Sequence, residues 1–399
     1  MKKAVMYGGG NIGRGFIGLL FSQSGYEVAF IDVAKPVIEH LNTNHCYPVR
    51  ILKGEEKTDI SVENVCAVDG SDMDAAAQVI ADCDIMATAV GVKILKFIIP
   101  NMAEGLRLRM KNGKGPLNII ICENLNDANK IVEAMLKEQL TEEECKWFDA
   151  NVGLVEASIG RMVPIQTPEM QDGEPMRVCV EPYGFLPVDK AAFKGEIPEI
   201  KNMYPFEPFD YFIKRKLFVH NMGHATCAYL GGFTGKEYIW QSIADADTYI
   251  IVQNAMEASA LALSKKYGVD VGDIFPHIQD LLIRFTNAAL GDTCDRVGRE
   301  PERKLAADDR LVGSYKLCKE MGVDPTFITI GIAGGLYRYL AENNMEQTAE
   351  NAAKVLMELG SLVCPQALGY YAMLVSGASF AEIRKKAELD RHANLKNIV

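Results

Sequence analysis

Ala4-Val5-Met6-Tyr7-Gly8-Gly9-Gly10-Asn11-Ile12-Gly13 is the stretch that decides the fold. Four apolar residues make a short buried strand, and a glycine-rich turn leads straight into the apolar helical run Phe16-Ile17-Gly18-Leu19-Leu20-Phe21. Gly25 ends that helix, and Val28-Ala29-Phe30-Ile31 makes a second buried strand closed by Asp32. This is a βαβ unit carrying G-x-G-x-x-G in its first turn. Gly8 allows the tight turn, Gly10 lets the backbone approach a pyrophosphate, and Gly13 lets the helix pack closely on the strand. The turn Gly8, Gly9, Gly10, Asn11, Ile12 and Gly13 is the expected phosphate cradle, because amides at a helix start carry partial positive charge.

Asp32 lies about twenty residues past the turn, where a carboxylate accepts hydrogen bonds from the adenosine ribose hydroxyls. A 2′-phosphate would be repelled there, and the next residue is Val33 rather than an arginine. NAD is therefore expected over NADP.

The pattern continues along the chain. Asp84-Ile85-Met86-Ala87-Thr88-Ala89-Val90-Gly91 reads as a strand ending in small residues, so Thr88, Ala89, Val90 and Gly91 are expected to lie along the cofactor. Leu117-Asn118-Ile119-Ile120-Ile121-Cys122 is another buried strand, followed by Glu123-Asn124-Leu125-Asn126 and a helix near 127–139. Val152-Gly153-Leu154-Val155-Glu156 and Arg177-Val178-Cys179-Val180-Glu181 read as further strands. The prediction is an α/β fold whose first part is a Rossmann-type, doubly wound, mainly parallel sheet with ligands at the strands' carboxyl ends. Asn124 sits at such an end, where it either reaches a substrate or caps the following helix.

Composition changes near residue 200. Pro198, Pro205 and Pro208 lead into a half with no clear strand, in which 209–231, 240–267, 271–289, 302–320, 325–342, 346–359 and 366–398 all read as helical. Two domains follow: an NAD-binding domain over 1–200 and a mostly α-helical substrate domain over 201–399, each long enough to bury its own core.

Hydrophobic content of 48% with 24% charged residues is that of an ordinary globular chain. A net charge of -11 argues against a nucleic-acid partner, whereas a small anionic substrate needs only a local basic cluster. The ten cysteines contain no Cys-x-x-Cys and no paired Cys/His spacing, so no metal is expected and a reducing compartment is. The chain enters a strand at once instead of a signal peptide, and no apolar run is long enough for a bilayer. A cytoplasmic location is expected, with no membrane partner and the oligomeric state left open.

In the helical half, Lys216-Leu217-Phe218-Val219-His220-Asn221-Met222-Gly223-His224 offers two hydrogen-bond donors and a group that takes a proton. At about 100° per residue, Lys216, Asn221 and His224 fall within roughly 140° on one side of a helix beginning near Phe209. That is equipment for oxidising an alcohol, although the same three residue types also make an ordinary solvated stripe. Further on, Arg296-Val297-Gly298-Arg299-Glu300-Pro301-Glu302-Arg303-Lys304-Leu305 closes with Asp309-Arg310. Guanidinium forks at Arg296, Arg299 and Arg303 match a phosphate. The interleaved acids, Asp292, Asp295, Glu300, Glu302, Asp308 and Asp309, make salt-bridged surface the competing reading.

Taken together these stretches resemble one family. The run from Gly8 to Gly18, Thr88-Ala89-Val90-Gly91, Cys122-Glu123-Asn124 and the Lys216/Asn221/His224 set are similar to the polyol-specific long-chain dehydrogenases. Arg296-Val297-Gly298-Arg299 with Pro301 and Arg303-Lys304-Leu305 narrows the resemblance to their mannitol-1-phosphate 5-dehydrogenase branch. Ser158-Ile159-Gly160-Arg161 departs from it, since that branch often has an acid before the arginine, and 166–176 and the chain from 313 onward match poorly.

The resemblance implies metal-free hydride transfer between NAD and a polyol phosphate. Lys216 would be the general base, Asn124 and Asn221 would hold the alkoxide-like oxygen, and His224 would position substrate or lysine. Arg296, Arg299 and Arg303 would take the phosphate. The competing readings are oxidation of free mannitol, reduction of a hexuronate on the same scaffold, and a non-catalytic NAD-binding redox sensor.

Overall fold

The computed structural model describes residues 1–125 and 127–396, so Asn126 and the last residues of the expected 366–398 helix lie outside the described residues. The chain divides into two compact units, Met1–Asp210 and Tyr211–Val399.

The strands of the first unit are β1 (Lys2–Tyr7), β2 (Tyr26–Asp32), β3 (Cys46–Lys53), β4 (Glu56–Glu63), β5 (Val65–Asp69), β6 (Ile85–Thr88), β7 (Leu117–Ile121), β8 (Val152–Glu156), β9 (Val178–Val180), β10 (Leu186–Asp189) and β11 (Met203–Phe206). Six of them form the main sheet in the order β5-β2-β1-β6-β7-β8, and every pairing in it is parallel. The order runs outward from β1 in both directions, so the sheet reverses between β1 and β6, and ligands of such sheets bind at that crevice. Period-two alternation feeds a core on each face. Ala4 and Met6 pack with Phe16, Leu20 and Phe30 on one side, while Val5 and Tyr7 pack with Ile80, Ile98 and Ile121 on the other.

One sequence expectation changes here. The segment expected as a strand over 177–181 does not join the main sheet; β9 pairs with β3 in a separate three-stranded sheet of order β4-β3-β9. The antiparallel β3–β4 hairpin was not read from the sequence, because most of β4 is exposed and charged and hides the alternation. Gly54, at φ 60° between the two strands, is the signal that marks it.

The second unit is helical, with an isolated bridge between Tyr238 and Thr293 outside its helices. Its centre is the continuous helical run through Asp210–Arg215, Lys216–Asn221 and Met222–Phe233. The last of these segments is buried on nearly all sides, from Met222 to Gly231, as befits a helix apolar all round. Its neighbours approach closely: a Cβ on Gly223 would fall 2.5 Å from the Sδ of Met256 in helix Ala246–Tyr267. A fixed, fully packed helix is a rigid base for a reactive side chain.

Candidate active site

The glycine turn after β1 is closed from several sides. Gly8 has φ +102°, which other residues rarely adopt, and a Cβ on Gly13 would lie 1.8 Å from the carbonyl oxygen of Gly8. Gly10 and Asn11 are exposed, and a Cβ on Gly10 would meet nothing within 4 Å. The turn thus presents open backbone outward while its inner glycines are forced, and that geometry fits a pyrophosphate. Ile12 leads into a π-helical turn, Gly13–Gly18, the kind of insertion that recurs at functional positions.

Asp32 accepts from Gly9 N–H at 2.6 Å through Oδ2, and from Val33 and Ala34 at 2.7 and 2.8 Å through Oδ1. Its carboxylate therefore ties the end of β2 to the glycine turn and keeps lone pairs for another donor. Two buried arginines brace the same turn. Arg14 donates to Gly9 O at 2.7 Å and Met176 O at 2.6 Å, and Arg161 donates to Gly15 O at 3.0 Å. The departing segment Ser158–Arg161 thus carries a side chain that holds the cradle, a role no motif announced.

After β6, Thr88 is fully buried and Ala89 donates to Tyr7 O at 2.9 Å, with the Ala89 carbonyl against Gly8. Val90 and Gly91 donate to the two carboxylate oxygens of buried Glu123, at 3.0 and 2.8 Å. Glu123 is a residue whose site role the sequence did not show, because it acts by closing a loop from another strand. Asn124, next to it at the end of β7, is exposed.

In the helical unit, the catalytic candidates sit on a π-helical turn, Lys216–Asn221, set between two α-helical segments. The sequence estimate assumed regular α-helix, in which residues five apart diverge around the axis. A π-turn takes more residues per turn and is bonded from i to i+5, so Lys216 and Asn221 lie closer to one face than they would in a regular α-helix. Lys216 is half-buried, and burial, with Arg310 nearby, pushes its ammonium down to about 8. No hydrogen bond to the Lys216 ammonium or the Asn221 amide is seen among the described residues.

His224, one turn on, is held from two directions. Its ring stacks on Phe285 with centroids 4.8 Å apart and planes 13° apart, and Nε2 lies 3.1 Å from Oδ2 of Asp292. Nε2 is buried, and the Asp292 carboxylate is the group set beside it. Burial alone would raise the Asp292 carboxyl, but His224 and Arg296 outweigh it and hold it below the ordinary range. Nearby His220 is buried and pushed well below the ordinary histidine range by burial and by Arg284, which keeps its imidazole neutral.

The basic stretch splits by burial. Arg296 binds Asp292; Arg299 pairs with Asp295 at 3.4 Å and Arg303 with Glu300 at 2.6 Å, and all three side chains are about half exposed or more. Lys304, by contrast, is 4% exposed, and burial followed by the Arg310 and Arg303 charges pushes it down to about 8. Arg310 is held through Nε by Asp309 at 2.7 Å. The sequence showed a run of cations; which of them face inward depends on helix Pro301–Lys304 and the turn after it. Among the described residues, no group of three or more His, Cys, Asp or Glu side chains is arranged to hold a metal ion, and no helix is long and apolar enough to cross a membrane.

Known proteins match this chain along both units. Residues 2–202 match the mannitol dehydrogenase Rossmann domain and residues 209–391 the mannitol dehydrogenase C-terminal domain. A mannitol-1-phosphate 5-dehydrogenase of Thermoanaerobacter pseudethanolicus is 37% identical over 335 residues, covering 84% of this chain and 85% of that protein. In fold, the chain is similar to D-sorbitol dehydrogenase in substrate-free form, with a TM-score of 0.74 at 14% identity over 98% of this chain and 93% of the other. It is also similar to a Pseudomonas fluorescens mannitol 2-dehydrogenase solved with NAD and D-mannitol, with a TM-score of 0.69 at 13% identity over 100% and 94%. With both domains matched and a relative this similar over most of its length, the chain belongs to the mannitol dehydrogenase family.

Proposed function

We propose that this chain interconverts mannitol 1-phosphate and fructose 6-phosphate with NAD, using Lys216 as the acid and base. As a mannitol dehydrogenase family member it is an oxidoreductase acting on a CH–OH group. The observation that carries the lysine assignment is a half-buried amine lowered to about 8 beside an unengaged asparagine amide and a fixed histidine. A base poised near the working pH is what proton transfer from an alcohol requires.

In the oxidising direction the neutral amine of Lys216 takes the hydroxyl proton. NAD held by the glycine turn and Asp32 would supply the hydride acceptor for the same carbon. The Asn221 amide donates to the oxygen as negative charge builds on it, and a donor placed before the reaction needs no reorganisation. His224, fixed by Phe285 and Asp292, positions the substrate or Lys216. In the reducing direction the Lys216 ammonium returns the proton. Gly8 to Gly13 and Asp32 would hold pyrophosphate and ribose, with Thr88 to Gly91 alongside, and Asn124 keeps the role of second amide donor that the family resemblance gives it. The setting we infer is the cytoplasm.

The phosphorylated substrate is supported by the name of the Thermoanaerobacter relative. Free mannitol is the second reading, favoured by the ligand of the Pseudomonas structure. NADH oxidation measured with fructose 6-phosphate beside fructose, mannose 6-phosphate, tagaturonate and fructuronate decides between them. A kcat/KM for fructose 6-phosphate at least about tenfold above the others supports the proposal, since one charge-assisted contact is worth that much. Equal turnover of fructose overturns it, and no turnover of any of them leaves an NAD-binding sensor.

A further inference from the structure

We propose that Lys304, Arg310 and the Tyr229 hydroxyl form an anion subsite beside Lys216, and that it holds the phosphate of the sugar phosphate. The identity of the anion rests on the function proposed above; the existence of the subsite rests on the following geometry.

Lys304 and Tyr229 are buried, the Arg310 side chain is 12% exposed, and each of the three keeps hydrogen-bonding capacity unused. Lys304 is 4% exposed, and no acceptor for its ammonium is seen among the described residues. Arg310 engages Asp309 through Nε alone, so its two terminal nitrogens have no acceptor among the described residues. Tyr229 is 4% exposed and its hydroxyl oxygen has no partner.

The backbone brings together the segments that carry the three. Leu311 N–H donates to Lys304 C=O at 3.4 Å, which folds the turn carrying Arg310 back against Lys304. A Cβ on Gly335 would touch Leu305, Leu311 and the Tyr229 ring at 3.2, 3.3 and 3.3 Å, so the neighbours of both cations and the tyrosine converge on one spot of helix Thr326–Glu342. Gly313, on the same segment, abuts Phe218 of the π-turn, whose ring would lie 2.9 Å from its Cβ. The segment from Lys304 to Gly313 therefore links the tyrosine to the turn that carries Lys216.

The energetics point to an anionic ligand. Cations removed from water without acceptors are costly, and Lys216, Lys304, Arg303 and Arg310 face only the acids Asp309 and Glu300, so the neighbourhood holds excess positive charge. Burial first, and then repulsion from Arg310, depresses both lysines. A phosphate dianion accepts from an ammonium, a guanidinium and a hydroxyl at once and offsets the charge of Lys304 and Arg310. Arg299 and Arg303, by contrast, are exposed and already paired with Asp295 and Glu300, so an anion there must compete with an acid and with water.

The test uses the full-length enzyme with NADH and two readouts, KM for fructose 6-phosphate and the competitive inhibition constant of inorganic phosphate. Lys304→Met and Arg310→Gln should each raise both constants at least about tenfold, the size of one charge-assisted contact. Tyr229→Phe removes a single oxygen and cannot disrupt packing; it should raise both constants several-fold while leaving the ligand-free Tm equal to or above wild type. A purely structural tyrosine would not give that combination. An unchanged phosphate constant in both Lys304→Met and Tyr229→Phe overturns the subsite. If wild type reduces fructose as well as fructose 6-phosphate, yet phosphate inhibits in a Lys304-dependent way, the subsite stands and the sugar-phosphate reading falls.

Discussion

Nε2 of His224 lies 3.1 Å from Oδ2 of Asp292, and the same carboxylate binds Arg296 through its other oxygen. The aspartate thus couples a proposed substrate-positioning histidine to an arginine that the sequence suggested for phosphate. Asp292→Asn keeps the shape and removes the charge that both neighbours face. It should lower kcat/KM about ten- to a hundredfold, in line with roughly 1.5–3 kcal/mol for a contact to a charged group, while NADH affinity stays put. Stopped-flow fluorescence and steady-state rates check both parts. A parallel loss of NADH binding would show that Asp292 supports the fold instead.

Lys216 sets the pH dependence of turnover. Its value of about 8 lies below the ordinary 10.5, so the neutral base becomes available as pH rises through about 8. Polyol oxidation should therefore climb across that range and level off above it, whereas ketose reduction, which needs the ammonium, should fall. Lys216→Ala should remove both profiles and lower kcat by orders of magnitude with little change in NADH affinity. EDTA should leave the wild-type rate intact, because the proposed proton acceptor is an amine of the protein.

Lys304 should make stability rise with pH. Its folded value of about 8 is lower than the 10.5 of an exposed lysine, so between these limits the unfolded chain binds more protons than the folded one. The penalty for the buried charge is full below about 8 and gone above about 10.5. Lys304→Met should accordingly raise Tm at pH 7, and that gain should shrink by pH 10. Calorimetry at the two pH values measures it; a constant gain would mean the effect is packing and not charge.

Two glycines of one turn should respond oppositely to alanine. A Cβ at Gly13 would sit 1.8 Å from Gly8 O, backbone that cannot move aside, so Gly13→Ala should unfold the first unit or lower its Tm by many degrees. Gly10→Ala meets open space, so the fold should persist with Tm nearly unchanged while NADH affinity falls. Fluorescence titration alongside thermal melting separates the two effects. Equal losses of stability would contradict the geometry of the turn.

Asp32 should govern cofactor choice and hold the turn at once. With Val33 beside it and no arginine, NADH should outperform NADPH by well over tenfold, the scale of one repulsive charge contact. Asp32→Ala should narrow that ratio and also lower Tm, because the carboxylate accepts from the backbone of Gly9, Val33 and Ala34. Comparable kcat/KM values for both cofactors in wild type would sink the first part.

What could be read from the sequence by itself is what short-range sterics and periodicity control. The run from Ala4 to Gly13 followed by Asp32 specified the first βαβ unit, since only glycine fits where the helix meets the turn, and apolar runs marked the strands of the parallel sheet. Apolar spacing likewise marked the helical half. The tertiary structure decided the rest. It placed β9 with the β3–β4 hairpin, because a three-residue strand carries too little pattern to choose its own partner. It set Lys216–Asn221 in a π-turn, since one inserted residue leaves hydrophobic spacing almost unaltered. It also chose among the cations: Arg299 and Arg303 face solvent beside acids, while Lys304 is buried and the Arg310 side chain is 12% exposed. A row of charges reads the same in one dimension wherever it points; burial and pairing give each charge its energy, and both belong to the folded chain.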